Sequence, residues 1–187
     1  MTPLPPLKMP EAETSLRLAF YLLQNKFTQS VDVAIDGAQV KTLEKIHFAI
    51  EAFLAEAECD CFVRGTEWRG VYRHASSGGS LRIHSNSGQG DVVATLRGGR
   101  IFRAECKRGT LVPSSSSSEY PLLREALGQL LTIAEVGATD ILAVAVPHST
   151  KFAELANRWR QAPLVERARI QILTITRENL VHGLNLS

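Results

Sequence analysis

Apolar and polar positions along this chain fall into a succession of helical and extended patterns. Helical spacing runs over 11–25 and again over 41–58, where Leu43, Ile46, Ile50, Phe53, Leu54 and Ala57 fall on one face. A strand is predicted at 31–35, and the period-two spacing of Cys59 and Cys61 predicts another over 59–64. The stretch 67–73 interleaves Trp68 and Tyr72 with Arg69 and Arg73; a packed strand accounts for Trp68, and contact with nucleotide sugars or bases is the competing role. Glycine- and serine-rich segments at 76–80 and 85–90 read as turns, and the pentaserine 114–118 as a mobile loop.

The clearest extended pattern is central. Residues 92–96 form a β-branched apolar run, Gly98-Gly99 supplies a tight turn, and 101–107 alternates in period two. That is a β-hairpin. Its second strand turns Ile101, Arg103, Glu105 and Lys107 to one face, and Phe102, Ala104 and Cys106 to a core on the other. Asp91, at the start of the first strand, falls beside the far end of the second, so Asp91, Glu105 and Lys107 converge.

Downstream, 121–136 reads as a helix with Pro121 in its first turn, Leu123, Leu127, Leu130 and Ala134 apolar, and Gly137 as its stop. The unbroken apolar run 140–147 suits a strand covered on both faces, so hairpin strand, helix and strand predict a parallel crossover. A helix at 151–160 and a strand at 169–176 follow.

Composition adjusts this picture modestly. At 187 residues and 44% hydrophobic content, the expected organisation is a Pro-rich leader and helix over 1–30 packing on one α/β domain over 31–187. No apolar run approaches the roughly 20 residues that span a bilayer, and the start lacks a signal-peptide pattern, so a cytoplasmic protein with no membrane partner is expected. Three cysteines make no disulfide framework, and zinc is not indicated, since Cys59-x-Cys61 has no second pair. Neither a P-loop nor a nucleophile elbow is present. The net charge is only +2, yet 64–108 holds eight arginines and Lys107 against Glu67, Asp91 and Glu105. Such a segment attracts phosphate backbones or, alternatively, merely solvates a strand surface.

An isolated acid followed by acid-x-Lys across a hairpin, then a helix and an apolar strand, resembles the PD-(D/E)XK, or restriction-endonuclease-like, nuclease superfamily over roughly residues 41–147. Gly90 stands where a proline often precedes the first acid. The helix with Ala126-Leu-Gly-Gln129 and the strand ending Ala145-Val-Pro147 look like the excision-controlling-factor proteins of cyanobacterial DNA elements, and the hairpin looks like archaeal Holliday-junction resolvases. The resemblance implies an αβββαβ core with a central mixed sheet flanked by helices. It implies catalytic roles for Asp91, Glu105 and Lys107, with Gln129 at the position of a helix glutamine near the metal, and an acid on the first core helix. Taking 41–58 as that helix offers Glu44, His47 and Glu51; Glu51 is favoured, although His47 lies nearer the apolar face and both glutamates equally suit a solvated face.

On this reading Asp91, Glu105 and the main-chain carbonyl of Cys106 hold Mg2+, with Mn2+ able to substitute, and Lys107 orients water or offsets developing charge. Arg69, Arg73, Arg82, Arg103 and Arg108 would contact DNA, RNA not being excluded, and cleavage of two strands would call for a homodimer. Two other readings stay open: a nuclease-like module that binds without cutting, and a protein-interaction subunit using its N-terminal helix. Without its context, Glu105 and Lys107 are equally an exposed same-face ion pair contributing about 0–1 kcal/mol.

Overall fold

A computed structural model describes residues 7–86, 88–112 and 119–186. The pentaserine and the first six residues of the leader lie outside the described residues. In chain order the elements are β1 (Lys8–Met9), α1 (Glu11–Gln24), β2 (Ser30–Ala34), α2 (Gly37–Val40), β3 (Lys41–Thr42), β4 (Lys45–Ile46), α3 (Ile50–Glu56), β5 (Cys59–Arg64), β6 (Gly70–His74), β7 (Ser80–His84), β8 (Val92–Thr95), β9 (Ile101–Cys106), β10 (Gly109–Thr110), α4 (Glu119–Leu130), β11 (Ile141–Pro147), α5 (Thr150–Arg160), α6 (Pro163–Arg167), β12 (Ile170–Ile175) and β13 (Val181–His182). The fold is mixed α/β. One nine-stranded mixed sheet runs in the order β13-β12-β11-β9-β8-β2-β7-β6-β5, with helices on its faces. Among the described residues no helix is long and apolar enough to cross a membrane.

The centre of the sheet is built from strands whose inward positions are apolar. Val31 and Val33 of β2, Leu81 and Ile83 of β7, Val92 and Ala94 of β8, and Phe102, Ala104 and Cys106 of β9 join one core cluster with Leu16, Ala19, Phe20 and Leu23 of α1. Ten of the fourteen α1 residues are buried, because the sheet covers one side of the helix and Phe53 and Leu54 of α3 press on another. On the opposite face, Leu123, Ala126 and Leu130 of α4 pack on Val144 and Val146 of β11, and Phe152 and Ala156 of α5 complete that cluster. The expected crossover is present, with β9 and β11 parallel in the register Phe102↔Ile141 to Cys106↔Ala145.

Two elements depart from the sequence pattern. The predicted helix over 41–58 is helical only from Ile50, and its first part is a short hairpin pairing Lys41 with Ile46 and Thr42 with Lys45. The apolar spacing there does not mark a single buried face, since Ile50 and Leu54 are buried while Leu43 is 89% and Ile46 65% exposed. The predicted helix over 121–136 starts at Glu119 and stops at Leu130. Beyond it, the Thr132 hydroxyl and amide both donate to the Gln129 carbonyl, closing the last turn.

Candidate functional site

The hairpin of β8 and β9 sets the site. Its register pairs Thr95 with Ile101 and Val92 with Ala104, so Asp91, one residue earlier, falls opposite Glu105. The Asp91 amide donates to the Ala104 carbonyl at 2.8 Å, and the Asp91 carboxylate accepts from the Cys106 amide at 2.8 Å. This carboxylate therefore caps the end of the ladder. Gly90 makes the approach: its φ is +102°, and a Cβ there would lie 3.2 Å from the Ala104 carbonyl oxygen.

Burial makes this pair unusual. Glu105 and Lys107 are 9% and 3% exposed, so they are not the solvated ion pair that an acid-x-Lys strand otherwise forms. Glu105 sits on the sheet face that α4 covers, level with Val144 in the β11 register. The Asp91 and Glu105 carboxyls are near enough that each shifts the protonation of the other. Burial lifts the Asp91 pKa to about 6; the Cys106 amide and Lys107 oppose the rise, while Glu11 adds to it. Burial, then the neighbouring Asp91 charge, lift Glu105 to about 7. Two carboxyls this close, and largely out of water, resist ionising together.

Lys107 lies between two helices. Its ammonium is 3.4 Å from a Glu11 oxygen on α1 and 3.3 Å from a Glu125 oxygen on α4, while its carbonyl accepts from the Thr14 hydroxyl at 3.2 Å. Burial alone would push this lysine down, but Glu11, Glu125 and Asp91 outweigh it and hold its pKa above the ordinary value. Glu11 also accepts from the Gln39 side chain at 3.0 Å. The α1 helix bearing Glu11 is anchored within the same first turn by Glu13, which is buried between Arg17 at 2.8 Å and Arg177 at 3.1 Å. Burial also raises the Cys106 thiol well above its ordinary pKa and the Cys59 thiol to about 12; both sulfurs are free and protonated at neutral pH.

Asp91, Glu105 and Lys107 are thus brought together, and other expected residues are not. Glu51 is exposed in the first turn of α3 beside Trp68 and Tyr72, and Glu44 and His47 are exposed around the β3–β4 hairpin. The helix acid that does reach the site is Glu11, from a segment assigned in the sequence to a leader helix. Gln129 is exposed one turn beyond Glu125, and it is Glu125 that touches Lys107. Glu11 had one legible signal, an acid in the first turn of the most apolar helix ahead of the hairpin; Gln39 and Glu125 had none.

Acids outside 64–108 redistribute the basic charge. Arg82 is bidentate to Asp32, with both contacts at 2.6 Å. Arg103 is buried, bonded to Asp140 at 3.4 Å and to the Gln89 side chain, so it braces the sheet and is not turned to a ligand. Arg69 bonds Glu67 and Ser85 and lies over the Trp68 ring, and Arg73 lies 4.5 Å from the Phe62 ring centre, opposite Asp60 across β5 and β6. Arg108 is exposed immediately after Lys107.

Among the described residues no group of three His, Cys, Asp or Glu side chains is arranged to hold a metal ion. Asp91 and Glu105 stand near one another as a pair, while Glu11 directs a carboxylate oxygen to Gln39 and Lys107. The chain matches no family model, no curated protein and no solved structure.

Proposed function

We propose that this protein is a metal-dependent nuclease of the PD-(D/E)XK kind, hydrolysing phosphodiester bonds in DNA. The observation that carries the reading is the Asp91–Glu105 pair, set opposite one another by the β8–β9 register, with the buried Lys107 directly after β9. A helical acid, a first strand acid and acid-x-Lys come together there as Glu11, Asp91, Glu105 and Lys107. Element order supports it as well: α1, β2, β8, β9, α4 and β11 run helix, strand, strand, strand, helix, strand, with 35–91 inserted after the first strand. The four strands lie side by side in that same order, antiparallel twice and then parallel.

The residues present fit a divalent cation. Two carboxylates whose acidity is suppressed by burial and mutual repulsion gain most from a shared positive charge, and carboxylate and carbonyl oxygens are the donors Mg2+ and Mn2+ prefer. Cys106 turns its N–H to Asp91, and within an extended strand the carbonyl of the same residue faces the same way. Asp91, Glu105 and the Cys106 carbonyl would hold the ion, which when bound polarises a phosphate oxygen and acidifies a coordinated water. Lys107, its charge secured by Glu11 and Glu125, supplies a donor and a positive charge to a non-bridging phosphate oxygen. Glu11 holds that ammonium in place, and Gln39 holds Glu11.

The test is to incubate the protein with branched, duplex and single-stranded DNA plus Mg2+ or Mn2+, beside Asp91→Ala and Lys107→Ala. Cleavage by the wild type and loss in both variants is expected. Equal cleavage by all three would sink the proposal.

A further inference from the structure

The parallel strands β9, β11 and β12 begin side by side, with Phe102 opposite Ile141 and Leu142 opposite Ile170. At these strand starts lies a cavity of about 670 Å³, a size ordinary for a small-molecule site. Ile141 and Ile170 line it, and Arg100, Arg160 and Arg169 reach it from three separate segments of the chain. The proposed cleavage site is at the other end of β9, about 17 Å away along the strand.

Two of these arginines are set there at a cost. Arg160 ends α5 half-buried, and every acceptor it meets is neutral. Its Nε and Nη2 donate to the Ile172 carbonyl at 2.9 and 2.6 Å, Nη2 also to the His182 carbonyl at 3.3 Å, and Nη1 to Asn157 Oδ1 at 2.7 Å. Burial pushes its pKa below the ordinary value, and no carboxylate among the described residues offsets that. Gly183, at φ +88°, leaves the guanidinium its room, since a Cβ there would overlap Nη2. Arg169 follows α6 at φ +54°, a left-handed position that usually goes to glycine. Its exposed side chain makes no hydrogen bond or ion pair among the described residues. Arg100 donates to the Leu186 carbonyl. Of the acids on the lining, Asp140 is engaged by Arg103 and the Gly137 amide, which leaves Glu166 against the arginines. A half-buried cation with no counter-ion and a second cation on a strained backbone, both lining one cavity, call for an anion from outside.

We propose that this cavity binds a small phosphate-bearing molecule, with Arg169 as the bidentate donor to the phosphate and Arg160 as fixed positive charge behind it. A phosphate monoester carries about 1.5–2 negative charges at pH 7, and its oxygens match the guanidinium fork. A carboxylate brings only one charge. The inference stands apart from the chemistry proposed for Asp91 and Glu105, and either can fail without the other.

The test is isothermal titration of the full chain with pyrophosphate, in EDTA and at fixed ionic strength, with acetate as the carboxylate control. Saturable one-to-one binding is expected for wild type, weakened about tenfold or more in Arg169→Gln. Binding should be unchanged in Lys107→Ala, which would lose a phosphate held beside the acidic pair. Because Arg169 is exposed, its variant reports on binding even where Arg160→Gln, which removes bonds to Ile172 and His182, disturbs folding. No saturable binding, equal binding by a folded Arg169→Gln, equal affinity for acetate, or loss in Lys107→Ala would overturn the proposal. Displacement of bound pyrophosphate by equimolar duplex DNA would also overturn it, by making the arginines part of a nucleic-acid track.

Discussion

Asp91 and Glu105 hold protons at pH values where ordinary carboxyls have lost them, and this fixes how the protein responds to pH. Both pKa values are raised above their unfolded values, to about 6 and about 7. The folded state therefore binds more protons than the unfolded chain between roughly pH 4 and pH 7, and the stability these groups contribute is lost as pH rises through that window. Chemical denaturation without divalent ions should show stability falling from pH 5 to pH 8, and the fall should shrink in Asp91→Asn and Glu105→Gln; a flat profile in the wild type would contradict the buried pair. Because the proposed ion would be held by the ionised carboxylates, the proposed cleavage should rise over the same interval. A lysine that stabilises developing phosphate charge is worth roughly 10²–10³-fold in rate. Lys107→Ala should lose about that much, Glu11→Ala less, and Glu51→Ala nothing, as read in single-turnover assays.

At the scale of elements, the hairpin of β8 and β9 was legible because its information is local: a β-branched run, a Gly-Gly turn and an alternating strand. The α4–β11 crossover followed from the same kind of pattern. The helix over 41–58 was misread because apolar residues spaced three and four apart also fit a hairpin that leaves Leu43 and Ile46 outside and a short helix that buries Ile50 and Leu54. The Glu11–Lys107 contact, between residues 96 apart, is set by how α1 crosses the sheet, and spacing along the chain carries no trace of it. The paired arginines were hidden likewise: Asp32 and Asp140 are distant in sequence from Arg82 and Arg103, so a tally over 64–108 overstated the free positive charge. The close approach at the mouth of the hairpin gives a prediction of its own. Gly90→Ala forces a Cβ into a left-handed backbone against the Ala104 carbonyl and should cost about 1–2 kcal/mol, measured by urea unfolding; no loss would show that the approach is not tight.

For the whole molecule, the sheet divides labour between its faces. One face is sealed by α1, whose anchoring through Glu13, Arg17 and Arg177 fixes the helix end that presents Glu11. The other is sealed over β9 and β11 by α4, whose Glu125 meets the same lysine. The acidic pair lies where the two helices flank the ends of β8 and β9, so an ion binding there binds the folded chain only. Such linkage stabilises by about 2.7 kcal/mol when the free ion is at 100 times its dissociation constant, and a chain of this size gains roughly 2–4 °C in Tm per kcal/mol. Saturating Mn2+ should raise the Tm of the wild type by several degrees and leave that of Asp91→Ala/Glu105→Ala unmoved; equal shifts in both would place the ion elsewhere.

The central claim is that Asp91, Glu105 and Lys107 together break a phosphodiester bond. Single-turnover cleavage of an end-labelled DNA panel with Mg2+ or Mn2+, comparing wild type with Glu105→Ala, Lys107→Ala and Glu51→Ala, tests it most directly. Metal-dependent cleavage by wild type and Glu51→Ala, with Glu105→Ala and Lys107→Ala slower by two orders of magnitude or more, is the predicted result. No cleavage by the wild type, or cleavage that survives in Glu105→Ala and Lys107→Ala, would contradict it.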